Sequence, residues 1–523
     1  MINEKRITDS MIYAELNDKD YWFDYKKQKF LHAIDTFYYS LKMDNDFTKH
    51  STDIHVKRLR EYFASMDKGG YDTCVSLVIP GIQDPLIYRD WRFGFFYNIC
   101  IEVPEMFDIF IADTVPGMED DENESNTSEI IVQIRSYPLW EMGVVQAYKK
   151  SFEIVKKICD YFNLTIYEVK ENRVDYCWHS NYLQRPSQFF RIDNMVNMQV
   201  SRFRRIHYEY QFKPNNEYEN DYICMGRRSD KCFLRIYLKS KEVIEKSYKP
   251  WFFKLWLFNG LISRYDNYIY EVCFEQNSWE YVNMARLKFY SEYGSNEFYR
   301  GECNKVLSGT MTISADSLQD LADKLTPRVT LVTNVEYQTT RKSSKSYILK
   351  QFRDNVGVDK RVFDYFDNRT RIIEYLTHDT FRLVEPDADD TNKSRRDYCN
   401  FWKRLRQTRL VDSYIPKGQI KLVREYSRQL NKDVVKKRML NGCVTYGLYE
   451  RGINDDSVFK DCAAALLRLN DNDIHNMKQY KEKKKRLLNK KLNDTDITGD
   501  ADYEFELIDK KTGECFVEDM KED

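Results

Sequence analysis

The chain has 523 residues, 42% of them hydrophobic and 32% charged, with a formal net charge of -1. At roughly 100–200 residues per domain, that length predicts two to four units with ample apolar material for packed cores. The polar start MINEKRITDS has no apolar signal core, no segment is long and charge-free enough to span a membrane, and the 12 cysteines form no CxxC pair and no zinc-ligand spacing, which together predict a reduced, cytoplasmic chain with no membrane partner. Aromatic residues reach 15%, with 39 Tyr and 31 Phe. Codon usage in an AT-rich genome accounts for such a content, and so do rings that stack on unpaired bases.

Residues 1–29 read as a polar and aromatic N-terminal extension. Ile34–Leu41 is a predicted strand and Val56–Met66 a predicted helix, followed by strands at Cys74–Ile79, Gly94–Val103 and Met106–Ala112, all rich in β-branched and aromatic residues. The acidic run Glu119–Glu129 lacks an apolar anchor and reads as a solvated loop. Ile130–Arg135 resumes as a strand. Helical spacing of Val144, Tyr148, Phe152, Val155, Ile158, Cys159 and Phe162 predicts a helix over Gly143–Phe162. Strands follow at Thr165–Val169 and Arg173–Ser180, then a hairpin of Ile223–Arg227 and Lys231–Lys239. Strands interspersed with amphipathic helices indicate an α/β or α+β domain.

Residues 250–327 change to helical periodicity, with Ser278 and Ser314 as caps and Pro327 as the stop, before Val329–Thr339 returns as a strand. Glu271 and Glu275 fall on a helix and read as surface charges. From about residue 346 to 491 the chain is helical and basic, and residues 393–491 carry 26 Lys and Arg against 11 Asp and Glu. A solvated helical face and a nucleic-acid surface both fit such an excess. The acidic tail, 492–523, reads as disordered.

Three strands carry polar residues on one face. Alternation places Arg235, Tyr237 and Lys239 together, and a phenol flanked by cations suits attack on phosphate because the cations attract the diester and favour the phenolate. A tyrosine between basic residues on a half-exposed strand is equally an ordinary surface feature. On the second strand Arg173, Asp175, Cys177 and His179 share a face. Asp175 and His179 lie four residues apart, about 13 Å along a regular strand, too far to chelate one ion without a bend or bulge, so one can bind metal while the other contacts DNA or acts as acid or base. Glu336 shares the third face with Asn334 and Gln338. P-loop, GxGxxG, GxSxG and HExxH motifs are all missing.

In order and approximate spacing, Arg173-Val174-Asp175, then Gly226-Arg227-Arg228-Ser229-Asp230 leading into Arg235-Ile236-Tyr237-Leu238-Lys239-Ser240-Lys241-Glu242, then Asn334-Val335-Glu336, resemble the Rep_trans-type rolling-circle replication initiators and the related relaxases of conjugative elements in low-GC Gram-positive bacteria. The likeness covers roughly residues 30–345 and is most specific in the tyrosine strand. Two positions depart from the family pattern: His179 stands where a second Asp is common, and Asn334 where Arg is usual.

The resemblance implies an α+β, HUH-like nicking domain with a central, mostly antiparallel sheet flanked by helices, plus a helical C-terminal region. It implies that Tyr237 attacks one strand of a plasmid's or integrative element's origin DNA, at a hairpin or single-stranded nick site, leaving a 5′-phosphotyrosyl bond that starts rolling-circle replication. Arg235 and Lys239 would assist catalysis, while Arg173, Arg227, Arg228 and Lys241 would bind DNA. Mg²⁺ or Mn²⁺ would be held by Asp175, Glu336, His179 and Glu242. A separate host or element-encoded helicase is the implied partner, along with a homodimer. Conjugative relaxase work, an origin-binding protein without catalysis, and a structural protein of phage origin are the competing classes.

Overall fold

Alternating side chains and short turns assemble eleven strands into one sheet in the order β2-β3-β4-β5-β6-β1-β7-β12-β11-β10-β9. They are β1 Phe30–Met43, β2 Val75–Leu77, β3 Leu86–Arg89, β4 Ile99–Val103, β5 Phe107–Ile111, β6 Ile130–Ile134, β7 Ile166–Ser180, β9 Ile206–Phe212, β10 Tyr218–Met225, β11 Cys232–Leu238 and β12 Thr333–Thr340. Every neighbouring pair is antiparallel. In this computed structural model, residues 29–66, 75–89, 93, 96–115, 127–183, 186–189, 191–212, 218–228, 230–247, 249–340, 356–386, 392–414, 506–508 and 515–517 are described. The chain divides into two units, and all of these residues belong to one of them; 70–72 and 423–495 form the other. The architecture is α+β, as expected. Most of the basic region, and the run Glu119–Glu129 up to residue 126, lie outside the described residues.

Strands β4, β5 and β6 are buried throughout, so neither face of the sheet meets water at these three strands. One face packs against helix α1, Ile54–Ala64, and the long helix α2, Ser136–Phe162. Helix α2 begins seven residues before the predicted start and bends at Gly143, whose φ is 77°. A Cβ at Gly143 would lie 2.5 Å from the Asp412 carbonyl oxygen, so the bend needs glycine. The bend also divides the helix between two cores: Tyr137 and Trp140 pack with the helical insertion, whereas Val144 to Phe162 pack on the main sheet core.

The predicted strands Thr165–Val169 and Arg173–Ser180 are one continuous strand, β7. It pairs with β1 over thirteen positions and absorbs irregularities as bulges, one of them between Ile34 and Thr36. Helical periodicity in residues 250–327 is realised as α3 Trp251–Phe258, α4 Arg264–Glu275, α5 Val282–Tyr293, α6 Glu297–Leu307 and α7 Ala315–Leu325. The sequence reading missed α3 and α6. Ser314 caps α7 as expected, but the Ser278 side chain makes no cap hydrogen bond and leads into a 3-10 turn before α5. Asp266 closes the insertion onto the sheet: it completes a capping box with Ser263 and accepts from Thr330 N (2.8 Å) and Oγ1 (2.7 Å), just before β12.

Beyond β12, helices α8 Lys360–Asp367, α9 Arg369–Tyr375 and α10 Asn400–Gln407 pack on the main core through Val362, Ile372, Phe401 and Trp402. A short strand β13, Phe381–Leu383, pairs with β8, Gln199–Ser201, outside the main sheet. In the acidic tail the described residues are β14, Glu506–Ile508, and β15, Cys515–Val517, which pair with each other. Among the described residues, no helix is long and apolar enough to cross a membrane.

Candidate active site

The three polar strand faces are hydrogen-bonded neighbours. Strand β12 lies between β7 and β11, and paired positions put His179, Asn334 and Tyr237 in one row, Cys177, Glu336 and Arg235 in the next, and Asp175, Gln338 and Phe233 in the third. Directly opposed residues share a face in an antiparallel pair, so strands about a hundred residues apart in sequence pool their polar side chains on one surface.

Tyr237 stands at the centre. Its hydroxyl donates to Glu336 Oε2 at 2.8 Å and accepts from Asn334 Nδ2 at 3.0 Å and from Lys239 Nζ at 3.4 Å. The ring is 8% exposed. Arg235 Nη2 donates to Glu336 Oε1, and Asn334 Nδ2 also reaches Glu336 Oε2 at 3.1 Å. Burial, reinforced by the Glu336 charge, pushes the Tyr237 phenol well above its usual range against the opposing pull of Lys239 and Arg235. The resting group is therefore a neutral phenol aimed at a carboxylate, not a phenolate.

Lys239 is not on the strand as predicted. It opens a helical turn, Lys239–Glu242, yet its ammonium still reaches the phenol and pairs with Glu242 Oε2 at 2.9 Å. Burial opposes its charge, but Glu242, Tyr237, Asp35 and Glu336 outweigh burial and hold the ammonium firmly protonated.

The expected metal-ligand set does not converge. Asp175 is committed to Arg173 in a two-pronged ion pair, Nε to Oδ1 at 3.0 Å and Nη2 to Oδ2 at 2.6 Å, two rows from Tyr237. His179 lies in the Tyr237 row, but its Nδ1 accepts from Trp256 Nε1–H at 3.1 Å. The proton must then sit on Nε2, which presents a hydrogen rather than a lone pair. Burial, with Lys239 adding to it, lowers the His179 pKa to about 3, so the ring is neutral. Both Glu336 oxygens are engaged, and Glu242 faces Lys239. Among the described residues, no three His, Cys, Asp or Glu side chains gather in a way that could hold a metal ion. The residues present do not fit the four-ligand set.

Among the expected DNA contacts, Arg173 is likewise taken up by Asp175 and lies over the Tyr38 ring, 5.4 Å from its centroid. Exposed Arg227 and half-buried Arg228 occupy the turn between β10 and β11. That turn is separated from Tyr237 by the length of β11, roughly 17 Å at 3.3 Å per residue. Lys241 is half-buried on the turn beyond Tyr237. Glu271 and Glu275 are exposed on α4, as surface charges should be.

Two participants escaped the sequence reading. Asp35 sits in the β1 bulge and is 5% exposed, and its Oδ1 accepts from Trp140 Nε1 at 2.8 Å and from Ser136 Oγ. Burial pushes its carboxyl up, but Lys249 and Lys239 overcome this and hold it well below the ordinary carboxylate range. Lys249, just before the insertion, is 2% exposed and supplies the stronger of those two charges. An acid inside the apolar run Ile34–Leu41 was the available signal for Asp35. No local pattern pointed to Lys249.

No family model and no curated protein matches this chain. A solved structure, titled as that of a rolling circle replication initiator protein from Geobacillus stearothermophilus, aligns with 72% of this chain and 95% of its own at 12% identity, with a TM-score of 0.30.

Proposed function

We propose that the chain nicks one DNA strand, with the Tyr237 phenol as nucleophile and Glu336 as its proton acceptor. One observation carries the reading: a phenol hydrogen-bonded at 2.8 Å to a carboxylate 99 residues away, with the Lys239 cation at the same oxygen. A neutral phenol is a weak nucleophile and needs a base in contact. In the proposed step the Tyr237 oxygen forms a bond to phosphorus while its proton passes to Glu336 Oε2. The bond from phosphorus to the 3′ oxygen breaks, and that oxygen takes up a proton to leave a free 3′-hydroxyl. Lys239 and Arg235 face the charge that grows on the phosphoryl oxygens. The phosphotyrosyl bond conserves the energy of the diester, so religation is the same step reversed and needs no nucleotide.

The finer reading is initiation of rolling-circle replication on a plasmid or integrative element, with origin DNA as substrate and a separate helicase to unwind it. It rests on the family-like order of motifs, whose tyrosine and glutamate strands are neighbours in the sheet. Relaxase work in conjugative transfer uses the same cut. No step in this reading passes through Mg²⁺ or Mn²⁺.

A supercoiled plasmid carrying the cognate origin, and a 3′-end-labelled single strand spanning the nick site, test the proposal. Wild type should relax the plasmid and shift the label into a denaturant-stable protein adduct, and Tyr237→Phe should do neither. Equal relaxation by the two proteins would remove Tyr237 from the chemistry. A second reading, an origin-binding protein without catalysis, draws on the phenol's 8% exposure and its three hydrogen-bond partners. That reading predicts specific binding of the same strand with no adduct.

A further inference from the structure

The row that holds Tyr237 continues past it. Strand β10 pairs with β11 on the side away from β12, and its register sets Tyr222 directly opposite Tyr237 and Cys224 opposite Arg235. Both therefore lie on the face that bears the phenol. Exposure rises across that face: His179 and Asn334 are fully buried, Tyr237 is 8% exposed, and Tyr222 is half-buried. The neighbouring row runs the same way, from buried Cys177, Glu336 and Arg235 through half-buried Cys224 to exposed His207 on β9. Asn334, Glu336 and Lys239, which hold the phenol oxygen, are all buried. Both rows thus open towards β10, and a substrate that reaches the phenol from there meets Tyr222 first. The Tyr222 ring centroid lies 6.2 Å from that of Tyr237 with the planes inclined by 40°, so the two rings are not stacked and Tyr237 does not cover the face of Tyr222. An aromatic face left partly in water favours a flat apolar cover, and a nucleobase is one. The division of labour follows from chemistry: the cations Arg235 and Lys239 suit a phosphate, and the ring suits the base attached to it.

We propose that Tyr222 is a positioning residue whose ring stacks on one nucleobase of a single strand entering across β10, and so sets the adjoining phosphate over Tyr237. The inference rests on the proposed function for the identity of the substrate as DNA. Any of the four bases can fill the place, because each has a π face.

The test uses the full chain carrying Tyr237→Phe, so that binding is read without cutting. Its probes are single strands of the cognate origin spanning the nick site, with an abasic position walked along them and affinity read by fluorescence anisotropy. With Tyr222 in place, loss of one particular base should weaken binding by about 10–100-fold. Tyr222→Leu, which keeps an apolar side chain but no ring, should weaken binding of the intact strand by a similar factor, and the abasic position should then cost nothing more. Tyr222→Phe should restore the parent's affinity. In the protein that retains Tyr237, Tyr222→Leu should raise KM with a far smaller change in kcat. Intact-strand binding by Tyr222→Leu as tight as the parent's would overturn the proposal, as would abasic losses that are the same with and without the ring. A loss in Tyr222→Phe equal to that in Tyr222→Leu would also overturn it, by assigning the effect to the hydroxyl. Should Tyr222→Leu fail to fold, 5-iodouracil walked along the same strand decides on the parent protein: photocrosslinking to Tyr222 supports the stack, and crosslinks to other residues alone overturn it. Coupling between one base and Tyr222 beside a wild type that forms no adduct would sink the proposed function and leave the stacking assignment standing. Adduct formation without that coupling would do the reverse.

Discussion

The sheet carries two buried charge clusters on the same face, and they are built differently. On β3 to β6, Arg135 pairs with Asp108 at 2.8 Å and Glu102 at 3.1 Å, and Arg89 also pairs with Glu102. The register through Gln133, Tyr38 and Arg173 puts this quartet on the face that bears Tyr237. Two cations and two anions balance there, beside the buried Cys100 thiol opposite Arg89. At the other cluster Arg235, Lys239 and Lys249 stand against Asp35, Glu242 and Glu336, with a neutral phenol among them and with His179 Nε2 and Asn334 Oδ1 lacking a hydrogen-bond partner. Burying charge is costly in either place. What separates the two is a phenol with a carboxylate in hydrogen-bond contact.

That contrast can be broken most sharply by exchanging outcomes. Glu336→Gln keeps an acceptor for the phenol but removes the base, and cleavage should fall by about 10²–10⁴-fold, measured as adduct formed per minute. A variant that cleaves at the wild-type rate would move the proton acceptor elsewhere. Arg135→Met should do the opposite, costing about 3–5 kcal/mol of stability by leaving Glu102 and Asp108 buried without their shared cation. Its cleavage rate per folded molecule should be unchanged, and denaturant melts beside adduct assays would show whether the two clusters are independent.

A smaller effect follows from pH. His32 and His179 are both buried, and burial lowers each pKa to about 3 from 6.5. Between those values the unfolded chain takes up protons that the folded chain refuses, so stability is full above about pH 6.5 and falls as pH drops towards 3. The slope is at most about 1.4 kcal/mol per pH unit for each ring. Melts at pH 7 and 5 should show this loss, and His179→Gln, which can still accept from Trp256, should remove about half of it. An unchanged slope in that variant would mean that His179 is not held neutral. The smallest effect is expected from Asn334→Ala, which deletes donors to Tyr237 and Glu336: about 1 kcal/mol, read as a roughly fivefold slower cleavage with the pH profile of the rate shifted.

Much of the architecture was legible because it rests on periodicity. Period-two runs identified most of the central strands, and the helical spacing of residues 250–327 marked the insertion. Short or wholly apolar elements escaped for want of a period: β3 has four residues, and Trp-Phe-Phe-Lys-Leu-Trp-Leu-Phe in α3 is nearly apolar all round. The site divides in the same way. Tyr237, Arg235, Lys239 and Glu336 lie in strands, or just past one, with a visible polar face, and these meet. Asp175 and His179 share their face too, but a strand rises about 3.3 Å per residue, and that spacing keeps Asp175 out of the Tyr237 row.

From the residues alone came the strands, the insertion and a tyrosine among cations, since each depends on neighbours within a few positions and on the intrinsic chemistry of a side chain. The tertiary structure decided which carboxylate touches the phenol, which is bound by an arginine, and that Asp35 and Lys249 belong to the site at all. Strand order and register set those contacts through hydrogen bonds between segments about a hundred residues apart, and no short stretch of sequence encodes them.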